Sequence, residues 1–182
     1  MEGAWAVANG VLYKLSEQNL VDCTTTALGC SGGLAELGLD QARRTQDGKF
    51  MLEEDYPYLA YQQRVCNFDA TKAVAHITDI TMYRDEKDLM GVVATYGPTS
   101  IGIDASGSLF SFYSSGIYDG SDCQKQQNHA VATVGYGDEN GVPYWIVKNS
   151  WGKEWGDQGY IRMLRDVDVC GIGVTITGIT GL

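Results

Sequence analysis

Positive charge is what this sequence has least of. Its 182 residues carry 13 Lys and Arg against 23 Asp and Glu, a formal net charge of −10 at pH 7. Nucleic-acid binders present a basic patch, whereas the cations here are scattered, which argues against that class of function. No apolar run approaches the roughly 20 residues that span a bilayer. The start also lacks the basic and apolar regions of a secretory leader. Only two histidines occur, His76 and His129, and none of the five cysteine positions makes a CxxC spacing. A structural zinc site therefore has no ligand set, and neither metal nor cofactor is expected.

What is present reads as a soluble globular chain, 44% hydrophobic and 20% charged, with no repeat, low-complexity tract or linker. Its length suits one modest domain or two small lobes. The first half has helical period. Ser16 caps a short helix to about Cys23, with Leu20 and Val21 facing inward. After Gly32-Gly33, the residues Leu34, Leu37, Leu39 and Ala42 predict a helix to about Arg44, with Gly48 beyond its end. In the second half Asp85 caps one more helix, carried by Leu89, Met90, Val92, Val93 and Tyr96 and stopped by Gly97-Pro98. Strands are then predicted over 99–105, 130–136, 144–148, 159–164 and 171–177, with Asp138-Glu139-Asn140-Gly141 turning a hairpin. The expectation is an α+β arrangement: a helical lobe over 1–78 and an antiparallel β lobe over 79–182, with a cleft between lobes as a natural place for chemistry.

Two segments carry reactive side chains: Gln127-Asn128-His129-Ala130-Val131, and Tyr144 through Gly152 with Lys148-Asn149-Ser150-Trp151 at its end. A lone histidine beside an apolar strand is ordinarily a satisfied core residue, and a lone Asn ends a turn. The hairpin, however, brings the strand after His129 against the strand ending at Asn149. An amide oxygen there would fix the imidazole tautomer and leave the other nitrogen to take a proton from a nucleophile. Trp151 would shield that bond from water.

With those residues in view, the chain resembles the papain-like cysteine peptidases of the cathepsin L type. The match runs through Leu15-Ser16-Glu17-Gln18-Asn19-Leu20-Val21-Asp22-Cys23, Gly29-Cys30-Ser31-Gly32-Gly33-Leu34, Asp55-Tyr56-Pro57-Tyr58, Gly97-Pro98, His129-Ala130-Val131 and Lys148-Asn149-Ser150-Trp151-Gly152, then Gly156, Gly159-Tyr160 and Cys170-Gly171-Ile172. The resemblance implies a two-lobed papain-like fold whose right lobe is antiparallel and β-barrel-like. It makes His129 the catalytic base, Asn149 its orienter, and Gly32 and Gly33 part of the substrate cleft, where a glycine lets an extended peptide approach. Leu34, Ala35, Gly102, Gln127, Asn128 and Thr175 become walls of the specificity pocket, a set roomier and more polar than the family's usual apolar one. By the same resemblance Cys23 pairs with Cys66 and Cys123 with Cys170, and Cys30 is left without its usual partner.

The family signature Cys-Gly-Ser-Cys-Trp does not occur. Glu2-Gly3 matches the family's central helix about ten residues past the nucleophile, so the reading is an N-terminally truncated domain. The nucleophile then falls upstream of Met1, and the 182 residues alone are expected to be inactive. The function implied is a cysteine-type endopeptidase acting through a thiol acyl-enzyme; the alternative is a non-catalytic homologue that binds peptides or serves a structural role. Polypeptide substrates, a propeptide or cystatin-like inhibitors, and a monomeric state follow from the resemblance. So does a lysosome-like acidic vesicle or secretion, in keeping with disulfides.

Overall fold

The Ser16 hydroxyl accepts the Asn19 amide at 2.9 Å and so starts a helix where the sequence placed one. In the computed structural model, which describes residues 1–182, the chain divides into two compact units: Met1–Thr81 with Ile179–Leu182, and Met82–Gly178.

The first unit holds α1 (Glu2–Asn9), α2 (Glu17–Cys23) and α3 (Ala35–Thr45), followed by the antiparallel pair β1 (Lys49–Met51) and β2 (Ala73–His76). Gly10 ends α1 in the left-handed region at φ 74°, the usual helix-stopping role of glycine. Its core gathers Ala4, Leu15, Leu39, Ala42, Phe50, Ala75, Ile77 and Ile179. The inward face of α2 differs from expectation. Leu20 and Val21 are only half-buried, and the buried side chains are Gln18, Asn19, Asp22 and Cys23. Gln18 and Asp22 are tolerated there because they are hydrogen-bonded: Gln18 reaches Asp22 Oδ1 and the Tyr61 carbonyl, and Tyr56 OH donates to Asp22 Oδ2. The Cys23–Cys66 disulfide closes this region.

The second unit begins with the end of β3 (Asp79–Tyr83) and α4 (Glu86–Tyr96), which Asp85 caps by accepting the Lys87 amide at 3.0 Å. Leu89, Val92 and Val93 are buried, whereas Met90 and Tyr96 face water. Next come β4 (Thr99–Ile103), the single turn α5 (Ser108–Ser111), β5 (Ile117–Tyr118), β6 (His129–Glu139), β7 (Val142–Lys148), β8 (Tyr160–Leu164) and β9 (Ile176–Gly181). Within this unit the sheet runs in the order β9-β4-β6-β7-β8-β5; all neighbours are antiparallel except β5 and β8. The α+β class holds. The sheet is open and not a closed barrel: its edge strand β5 is two residues long and pairs only with β8. The predicted strand over 171–177 is displaced. Cys170 at φ 50° and Gly171 at φ 75° fold that stretch into a 3₁₀ turn, and the strand starts only at Ile176. Trp145, Val147, Ile161, Met163, Ile101, Ile103 and Phe110 fill the core of this unit, all essentially inaccessible to water.

Candidate active site

The β6–β7 hairpin builds the site. Asn140 at φ 55° and Gly141 at φ 79° occupy the turn, the pair of left-handed residues that a tight hairpin of this twist demands. Asp138 Oδ1 accepts the Gly141 amide at 2.8 Å and pins the turn further. The register Tyr136↔Trp145 through Ala132↔Lys148 then sets His129, at one end of β6, near Asn149, just past the end of β7. A one-residue irregularity between Thr133 and Gly135 is absorbed on the way.

His129 Nε2 and Asn149 Oδ1 lie 2.8 Å apart. The Ser150 amide also donates to Asn149 Oδ1, at 2.8 Å, so that atom is the amide oxygen and the imidazole must carry its proton on Nε2. His129 Nδ1 engages no hydrogen-bond partner in the chain and holds the ring's lone pair. Asn149 is buried and its backbone N–H donates to the Gly159 carbonyl at 2.9 Å, which ties β7 to the Gly159 turn. Trp151 stacks at 36° to the imidazole with centroids 5.0 Å apart. It packs in turn on buried Phe110 (5.5 Å) and on Trp155 (5.3 Å), whose indole N–H donates to the Ser111 carbonyl. An aromatic wall thus covers one side of a histidine held in a single tautomer, a geometry suited to a general base.

Gly102, Gln127, Asn128 and Thr175 also come together in this unit. The Gln127 amide donates to the carbonyls of Gly102 (2.7 Å) and Gly171 (3.0 Å), and its oxygen accepts the Thr175 hydroxyl at 2.6 Å. The Gln127 side chain therefore lies directly against Gly102: a Cβ added there would meet its amide at 2.7 Å. Asn128 is braced by Asp104 and by the Ala105 amide. Sequence reading missed Asp104, Phe110 and Trp155; the Trp151-to-Trp155 spacing was the one signal available for the last.

The first unit brings Gly32, Gly33, Leu34 and Ala35 together along a depression of about 280 Å³ that Ala27 and Gly38 also line. Both glycines have a local structural reason. Gly32 sits at φ 112°, and a Cβ on Gly33 would meet that of Ala27 at 2.7 Å. Four cysteines form the disulfides Cys23–Cys66 and Cys123–Cys170; Cys30 is free and exposed. No group of three or more His, Cys, Asp or Glu side chains is arranged to hold a metal ion, and no helix is long and apolar enough to cross a membrane.

The sequence pattern described as "Papain family cysteine protease" matches residues 1–179. The chain belongs to that family. It is 46% identical to Cathepsin L1 of Drosophila melanogaster, aligning 94% of this chain with 47% of that protein. It is 42% identical to Cathepsin L2 of Homo sapiens over 94% of this chain and 54% of the relative. Among solved structures, the digestive procathepsin L 3 of Tenebrio molitor larval midgut superposes with a TM-score of 0.89 at 38% identity, over 97% of this chain and 59% of that one. The papain-family chain described here thus spans about half the length of the curated relatives it matches.

Proposed function

We propose that the protein to which this chain belongs is a cysteine endopeptidase in which His129 is the general base, Asn149 holds it, and the attacking thiol comes from a cysteine outside these 182 residues. The observation that carries this reading is the His129–Asn149 pair: one imidazole nitrogen is committed to a buried amide oxygen and the other is left without a partner. Four of the five cysteines are spent in disulfides. The fifth, Cys30, sits in a 3₁₀ turn with no hydrogen bond to an imidazole or a cation to activate it.

Proton transfer from the thiol to His129 Nδ1 yields a thiolate, which adds to the scissile carbonyl carbon. The tetrahedral adduct collapses, the C–N bond breaks, and the imidazolium returns the proton to the departing amine. Water then adds to the thioester with His129 again taking its proton, and the carboxylic acid and free thiol are regenerated. Trp151 excludes water from the Nε2–Oδ1 bond throughout. Gly33 pairs with the extended substrate backbone, and Gln127, hydrogen-bonded to Thr175, gives the specificity pocket a polar wall. The names of the relatives, cathepsins and a procathepsin, support a substrate that is polypeptide and a precursor carrying a propeptide; the two disulfides support an oxidising setting, an acidic vesicle or secretion.

The test is alkylation by iodoacetamide of protein purified from its native source, with the labelled residue located by peptide mass. Loss of fluorogenic-peptide cleavage that tracks a label on a cysteine outside the 182 residues supports the reading. Loss that tracks Cys30, or a native protein with no peptidase activity at all, overturns it; the second result moves the weight to a peptide-binding homologue.

A further inference from the structure

Asp104 is a carboxylate 2% exposed that makes no ion pair. It directly follows Ile103, whose register partner across the sheet is His129 itself. Its two oxygens accept four hydrogen bonds. Oδ1 takes the Ser106 amide (3.0 Å), the Ser106 hydroxyl (2.6 Å) and Asn128 Nδ2 (3.1 Å), and Oδ2 takes the Gln124 amide at 2.7 Å. Two of those donors, Gln124 and Asn128, bracket the irregular segment that runs straight into His129. The backbone supports the same clamp: the Asn128 amide donates to the Ile103 carbonyl and the Asp104 amide to the Cys170 carbonyl.

A buried charge without a cation is tolerated only when donors surround it. Such a group is strongly directional, since moving any donor strands the charge. We propose that Asp104 is a positioning residue for the general base: it fixes residues 124–128 against the end of β4 and thereby sets where the His129 imidazole stands relative to Asn149. The Ser106 hydroxyl and amide, with the Gln124 amide and Asn128, also hold its carboxyl below the usual aspartate range, so it stays charged down into acid. Neighbouring Gln127 strengthens the segment but carries no charge, and its bonds to Gly102 and Gly171 anchor one residue where Asp104 anchors two.

The inference rests on the peptidase reading for its kinetic readout but not for its structural one. In the complete protein, Asp104→Asn keeps the shape and loses one acceptor. It is expected to lower kcat about 10–100-fold with KM little changed, the pattern of a misplaced reacting group, and to move the limb of the pH–rate profile that reports His129. Ser106→Ala removes a bond to the same carboxylate without touching 124–128, and is expected to leave kcat within about threefold of wild type. Should Asp104→Asn fail to fold, Gln124→Pro removes the N–H that Oδ2 accepts while keeping the charge, and the same changes are expected. Equal kcat and an unmoved pH profile in a variant that merely melts earlier would overturn the proposal. An inactive wild-type protein would refute the peptidase reading alone; the His129 titration by NMR, compared between wild type and Asp104→Asn, then decides, and identical curves reject the positioning role.

Discussion

Asn149 differs from most buried amides in that its oxygen serves two donors while its Nδ2 has no partner in the chain. Its role is to present oxygen, and removing it frees the imidazole to change tautomer and turn. Asn149→Ala in the complete protein is expected to reduce kcat/KM by about 10²–10⁴-fold, most of it in kcat, measured on a fluorogenic peptide series. Glu86 is the matching case for stability. It is buried at the start of α4 and accepts the Trp145 indole N–H (2.7 Å) and the amides of Asp166 (2.9 Å) and Asp168 (2.5 Å). Glu86→Ala would strand three donors and cost about 3–5 kcal/mol by urea denaturation, the range for breaking a buried charged network. The residues that sequence reading could find are those whose partners lie in a short run or across a legible hairpin, as Asn149 and Trp151 are for His129. Asp104 and Glu86 could not be found that way. Apart from Ser106, two positions past Asp104, their donors lie 20 to 82 positions along the chain, and an isolated acidic residue beside a strand or a helix start looks like solvated surface.

Among the elements, the hairpin was legible because its turn has chemical requirements that few residues meet, and helices α2, α3 and α4 because each has a cap or a glycine stop. Gly141→Ala is expected to cost about 1 kcal/mol, since no atom crowds the new Cβ and only the left-handed φ opposes it. Its thermal midpoint should fall by a few degrees while activity well below that midpoint persists. The β1–β2 pair and the two-residue β5 were illegible: strands of two to four residues carry too little alternation to read. The stretch around Cys170 was misread as strand because its run of apolar residues hides a backbone that the Cys123–Cys170 disulfide and two left-handed residues fold into a turn.

For the molecule as a whole, acid response follows from where carboxylates are held. The Arg43 guanidinium beside Asp40, the Thr71 hydroxyl and amide beside Asp69, and the Ser106 donors around Asp104 hold those carboxyls below the usual aspartate range. At Asp122 burial works the other way, but the Leu109 amide and the Tyr118 and Ser108 hydroxyls outweigh it. A depressed folded value means the unfolded chain takes protons first as pH drops. The stability is fully present above the ordinary aspartate value of about 3.9 and is lost as pH falls through the folded values. Midpoints from thermal scans of the disulfide-intact complete protein should therefore hold between about pH 5 and 6 and decline steeply below about pH 4. A curve that rose toward pH 3 would contradict this assignment.

Ile179 belongs to the core of the first unit, although almost 100 residues of the second unit separate it from Thr81. Beside it, the Thr78 amide donates to the Gly181 carbonyl and the Thr81 and Thr180 hydroxyls meet at 3.0 Å. During synthesis this reverses the customary order in which domains are completed. At about 5–20 residues per second, the first unit waits on the order of 5–20 s after its own helices emerge before its core can close. The unit made second is the first whose chain is all present. Until then Leu15, Phe50 and Ile77 lack a neighbour, and a nascent chain halted between 82 and 178 offers that gap to chaperones and proteases alike.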